Sequence, residues 1–254
     1  MQNQRLIQRF RDFFNKEYEC GKNLITYQRN LDDYNLSGKF DIGVKLDHFK
    51  EVILQEETGL ELGGVNKKSF FLVFPIQELE TLHDGNITLL GREIKAIKES
   101  SIDFGLFILI GVNKSEIEND ELRQLSFISN SIEGFLIRTI PRRFWCRISS
   151  NALQRNFSFE FLGKAIFHLY HQKFGNLIKA MEIFFINTYT DSIGRFKEIS
   201  SEITAQFVKK WKAKIEDWKK RIDCEYDWGC QICPYRENCY YIKEVLIKRE
   251  ELGK

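Results

Sequence analysis

Four of the six cysteines fall within the stretch CEYDWGCQICPYRENC, where Cys224, Cys230, Cys233 and Cys239 follow the spacing C-x5-C-x2-C-x5-C. Four thiolates that close together suit one soft metal centre. The x2 step lets two sulfurs converge on a cluster, and Pro234 stiffens the turn after the second of them. The spacing predicts a [4Fe–4S] cluster. Zinc is the alternative, although structural zinc sites usually pair two short knuckles and only one short pair is present. Disulfides would need an oxidising compartment.

A second candidate site is the stretch from Gly134 to Phe159. It carries Arg138, Arg142, Arg143, Arg147 and Arg155 and no acidic residue. Guanidinium forks suit phosphate and pyrophosphate, and Trp145 offers a face on which an adenine can stack. The competing reading is a surface strand whose arginines pair with carboxylates from elsewhere in the chain. His168 and His171 share a helix face, but no neighbouring carboxylate or cysteine completes a ligand set around them, so they read as packed or solvent-facing. No Ser-His-Asp or paired-carboxylate arrangement is evident from spacing.

The elements that must position these residues follow from periodicity. Leu6, Phe10, Phe13, Phe14 and Tyr18 recur at helical spacing between Arg5 and Tyr18. This amphipathic helix heads an N-terminal helical region, 1–50, whose stretch from Gly21 to Asp47 reads as turns and short elements. Apolar runs at 69–74, 87–90 and 102–112 read as buried strands. Ile117 to Arg138 returns to helical spacing through Leu125, Ile128, Ile132 and Leu136, and Pro141 ends it. Residues 144–149 alternate, with Phe144, Cys146 and Ile148 on one side and Trp145, Arg147 and Ser149 on the other. Ser158 caps a helix that stops at Gly175, and a strand follows over 182–190. That strand–helix–strand order predicts a crossover unit with a parallel pair.

The expected fold is therefore α/β, a mixed sheet with crossover helices over 51–192. Residues 193–254 add a long helix (Ile199, Ile203, Phe207, Trp211, Ile215, Trp218, Ile222) that leads into the small cysteine-rich cluster region. Hydrophobic content of 43%, charge of 29% and a net charge of +2 describe an ordinary globular chain with no global pull toward nucleic acid or membrane. Without a spanning run or an apolar leader, the protein is expected in the cytoplasm, where thiols stay available to metal.

Several stretches, in order, resemble one family. ELGG (61–64), FFLVFPIQELETLHDGNITLLGREI (70–94) and DFGLFILIGV (103–112) resemble the middle domain of acetyl-CoA synthase, the β subunit of the carbon monoxide dehydrogenase/acetyl-CoA synthase complex. EGFLIRTIPRRFWCRISSNALQRNFSFEFLGKAIFHLY and INTYTD are similar to the segment that follows in that family. Gly229-Cys230-Gln231-Ile232-Cys233 stands where the family opens its nickel–iron–sulfur centre. The resemblance spans about 56–233 and implies three things. Cys230 and Cys233 correspond to family metal ligands. The tryptophan and arginines, Trp145 with Arg138, Arg142, Arg143 and Arg147, correspond to residues associated with coenzyme A. The partner is a protein of a CO dehydrogenase/acetyl-CoA synthase or corrinoid-type system. The family's outer nickel uses Cys-Gly-Cys, which these 254 residues lack, so acetyl-CoA synthesis by the chain alone is not expected. The CPYRENC ending also resembles cluster-binding tails of some CRISPR-associated and recombination-repair nucleases, whose acidic-lysine core is not evident.

Three functions follow as expectations. The first is an iron–sulfur electron-transfer or docking component of anaerobic one-carbon metabolism. The second is a subunit acting on a coenzyme A thioester, with the rest of its centre from a partner chain. The third is a zinc-stabilised interaction protein.

Overall fold

The apolar runs become strands, and two mixed sheets share them. The computed structural model describes residues 2–29, 40–43, 57–64, 66–112, 122, 125, 127–129, 131–140 and 143–201. Residues 1–200 form one unit and 201–254 a second, so the described residues belong to the first apart from Ser201.

Helix α1 (Gln2–Glu19) leads into β1 (Leu24–Gln28), β2 (Thr58–Gly63) and β3 (Ser69–Ile76). Then come β4 (Asn86–Leu90), β5 (Ser101–Ile102), β6 (Phe104–Val112), β7 (Phe135–Ile140) and β8 (Arg143–Ser149). Two helices, α2 (Ser150–Gln154) and α3 (Phe159–Phe174), precede β9 (Ile178–Asn187), and a helix α4 occupies 190–201. The first sheet runs β1-β4-β9-β6-β3 and the second β5-β2-β8-β7. Parallel pairs (β4/β9, β3/β6) alternate with antiparallel ones in the first sheet, and in the second the parallel pair β2/β5 is followed by two antiparallel ones.

The central strand β6 is buried along its whole length, as its unbroken apolar sequence requires, and its neighbour β9 is buried at every position but Lys179. One face of the first sheet packs under α1 and α4. Phe10 meets Phe107 at 4.6 Å, Phe14 meets Phe184 at 4.8 Å, and Phe196 stacks on Phe70 at 4.9 Å. The other face meets α3 and the second sheet: Phe104 stands between Phe159 (5.9 Å) and Phe144 (5.8 Å). Ser158 caps α3 by accepting from the Phe161 N–H, and the helix ends at Gly175.

Three sequence expectations are corrected. Residues 132–138 are not helical: Ile132 makes a β-bridge, and Phe135–Ile140 pairs with β8. Phe135, Leu136 and Ile137 are all buried, so pairing with β8 rather than helical spacing decided this stretch, although Ile128, Ile132 and Leu136 satisfy a step of four. The β8–α3–β9 passage is not a crossover within one sheet, because β8 lies in the second sheet and β9 in the first. Finally, the run 102–112 serves two sheets: Ile102 pairs with β2, and after Asp103 the chain joins β3. The mixed α/β architecture stands. The long helix expected beyond 201 and the cysteine-rich region lie outside the described residues.

Candidate coenzyme A face and cysteine site

The pleat of β8 sorts its side chains as its sequence alternates. Phe144, Cys146 and Ile148 are buried in the core, while Trp145 and Arg147 are only partly covered on the opposite side. Burial pushes the Cys146 thiol well up, which leaves it an inert core residue. Register then brings neighbours beside the outward pair. Arg138 of β7 stands opposite Trp145, and Glu61 of β2 stands opposite Arg147.

Arg147 is doubly held. Its Nε donates to Glu61 Oε2 at 2.9 Å, and its guanidinium carbon lies 4.5 Å from the centre of the Trp145 ring. The ELGG motif accounts for the other half of this contact. Leu62 is fully buried, and Gly63 lets β2 approach β8 closely. A Cβ on Gly63, whose φ is +76°, would sit 2.7 Å from the Phe144 carbonyl oxygen. A Cβ on Gly64, whose φ is +131°, would sit 2.2 Å from Glu61 Oε1.

Arg155 is elsewhere, ion-paired with Glu133 and 4.6 Å from the Phe40 ring centre. Arg142 lies outside the described residues, and Arg143 is placed by its backbone alone as the first residue of β8. The structure thus brings Arg138, Trp145 and Arg147 onto one sheet face and separates Arg155 from them. Sequence reasoning missed Glu61, whose pairing with Arg147 spans 86 residues. The one signal was the ELGG motif itself.

Cys224, Cys230, Cys233 and Cys239 lie outside the described residues. Among the described residues no group of three or more His, Cys, Asp or Glu side chains could hold a metal, so His168 and His171 find no third ligand there. Burial, with Arg29 nearby, lowers the His171 pKa.

Two further carboxylates are buried on the helical face of the first sheet. Glu182 of β9 accepts from Arg11 of α1 at 2.9 and 3.3 Å and from the His83 N–H at 3.3 Å. Burial outweighs these contacts and raises its pKa. Glu17 of α1 meets Lys22 at 2.9 Å and Arg195 of α4 at 2.7 Å. Both carboxylates tie α1 to the rest of the unit.

The model for the CO dehydrogenase/acetyl-CoA synthase complex beta subunit family matches residues 40–193, which includes all of the second sheet. The chain belongs to this family. It is 26% identical over 196 residues to the acetyl-CoA decarbonylase/synthase complex subunit beta of Methanopyrus kandleri, a match covering 76% of this chain and 40% of that protein. The corresponding subunit of Methanothermobacter thermautotrophicus is 27% identical over 195 residues, covering 73% and 39%. Subunit beta 1 of Methanosarcina mazei is 24% identical over 186 residues, covering 72% and 38%. The chain therefore spans about 40% of the length of these relatives. No helix among the described residues is long and apolar enough to cross a membrane.

Proposed function

We propose that this chain is a coenzyme A-binding, cluster-bearing component of anaerobic one-carbon metabolism, acting with a protein partner of a CO dehydrogenase/acetyl-CoA synthase or corrinoid-type system. The observation that carries the reading is the register that sets Arg138 across from Trp145 in a domain of this family. An indole on a sheet face that also carries arginine side chains suits a ligand with a flat ring and phosphates. Arg142 and Arg143, close to Trp145 in sequence, add two further positive charges to this stretch of the chain.

Calorimetric titration with coenzyme A tests the face. Wild type should bind with an affinity that falls as salt rises, and Arg142→Ala/Arg143→Ala should bind more weakly. Equal heats in the two proteins, or no binding by wild type at millimolar ligand, defeat the reading.

The cysteine set supports a [4Fe–4S] cluster held by Cys224, Cys230, Cys233 and Cys239, which would supply one-electron transfer. Anaerobically purified protein should contain about four irons and four sulfides per chain. Cys233→Ser should lose most of the iron, and Cys20→Ser should keep it. Stoichiometric zinc without sulfide would replace the cluster with a structural four-cysteine site.

A second reading, an electron-transfer or docking component that binds no coenzyme A, is favoured by the compensation of two of the arginines. Arg147 and Arg155 already face Glu61 and Glu133. A protein with the cluster and no heat on titration with coenzyme A would support it.

A further inference from the structure

We propose that Glu61 is a positioning residue for the coenzyme A face. By holding the Arg147 guanidinium against one side of the Trp145 indole, it leaves a single indole face for a flat ligand ring and keeps Arg147 away from the ligand's phosphates. The inference rests on the coenzyme A reading above and divides the labour within it.

Three observations converge on this role. The antiparallel register sets Glu61 directly across from Arg147, and the 2.9 Å contact from Nε occupies the side of the fork that faces β2. The guanidinium carbon is 4.5 Å from the indole centre, within the range where a cation is drawn to a ring face. The carboxylate occupies space that only a glycine at 64 leaves open, since a Cβ there would lie 2.2 Å from Oε1. Glu61 and Arg147 are 24% and 18% exposed, so the pair is partly withdrawn from water and less screened than a fully exposed one. Its charges cancel, and it adds no net attraction for phosphate. Its function is geometric: the guanidinium fills one face of Trp145, and a ligand ring is directed to the other.

This assignment predicts opposite signs from a simple charge effect. Removing a negative charge near a polyphosphate should by itself tighten its binding. If Glu61 acts through Arg147, Glu61→Gln should instead weaken coenzyme A by about three- to tenfold, because the guanidinium no longer holds the indole. Its partner variant Arg147→Met should lose a similar factor while keeping a salt dependence as steep as wild type, since no phosphate contact is lost.

Coenzyme A is the probe, and protein labelled with 5-fluorotryptophan gives an independent readout. The Trp145 resonance, assigned by its loss in Trp145→Phe, should move in ligand-free Glu61→Gln. A shifted resonance with weakened coenzyme A supports the proposal. Either change without the other overturns it, as does tighter binding by Glu61→Gln or a flatter salt dependence in Arg147→Met. No binding by wild type overturns the coenzyme A reading and the ligand role of Glu61 together. The fluorine resonance of the same sample still separates a failed site from a failed clamp.

Discussion

The molecule makes the same arginine–glutamate contact in two regions, and the surroundings give it two different meanings. Arg11–Glu182 and Arg147–Glu61 both close at 2.9 Å. Glu182 is 2% exposed, lies beneath α1 and receives a backbone N–H as well. Glu61 is 24% exposed on the outer face of the second sheet, and its arginine also leans on an indole. In the first case the protein has taken a charge out of water and must answer it fully, so the pair ties α1 to the central strand. In the second the desolvation is modest, and the arginine remains available to set the position of a neighbour. Burial of the carboxylate separates a fastening from an adjustable contact.

The sharpest way to break this contrast is to remove one partner of the buried pair. Arg11→Met leaves Glu182 buried without its cation and should cost about 3 kcal/mol in urea unfolding. Arg11→Met/Glu182→Leu should recover most of that loss, because no charge is then stranded. The pH dependence follows from the raised pKa of Glu182, which arises from burial. The folded protein binds this proton more tightly than the unfolded chain does. The contribution is full below the unfolded value and is lost as pH rises through the folded one. Without Arg11 that window extends further upward, so the deficit of Arg11→Met against wild type should be smallest in acid and grow toward neutral pH. A deficit independent of pH would show that Glu182 is not the group at issue.

The two regions were also unequally legible in the sequence. Apolar runs and caps announced β3, β4, β6 and α3, most plainly β6, which is buried along its whole length and has no polar residue to disguise it. The alternation around Trp145 and Arg147 gave the outward face of β8. Which sheet each strand joins was hidden, because sheet membership depends on pairings between distant segments. Glu61 and Arg147 are a case in point, as are β8 and β9, which the crossover rule would have placed side by side. The buried carboxylates were equally hidden. Glu17 continues the apolar stripe of Ile7, Phe10 and Phe14 at helical spacing, and Lys22, Arg195 and the hydroxyl of Ser192 make that position tolerable.

A smaller effect should come from the backbone that brings β2 against β8. Gly63→Ala places a Cβ 2.7 Å from the Phe144 carbonyl at a φ of +76°. Strain and close approach together should cost about 2 kcal/mol in thermal or urea unfolding. The comparison sharpens if Gly21→Ala costs less. That residue has a similar φ of +78° but nothing within 4 Å of an added Cβ, so only the strain remains. Equal losses would mean that the approach of β2 to β8 is looser than the glycine pair implies.

The smallest effect on stability should come from the partly exposed pair. Glu61→Gln keeps the shape of the side chain and removes its charge, and a contact of this exposure is worth about 0.5 kcal/mol. The loss should shrink as salt screens the pair in the wild type, whereas the deficit of Arg11→Met should change little with salt because water and ions do not reach Glu182. A loss in Glu61→Gln as large as that in Arg11→Met, and equally insensitive to salt, would mean that both pairs are fastenings. The expected result, a small and salt-dependent loss, leaves the Glu61–Arg147 contact free to be spent on the geometry of Trp145. A side chain that contributes little to holding the sheet together can still decide which face of the indole a ligand meets.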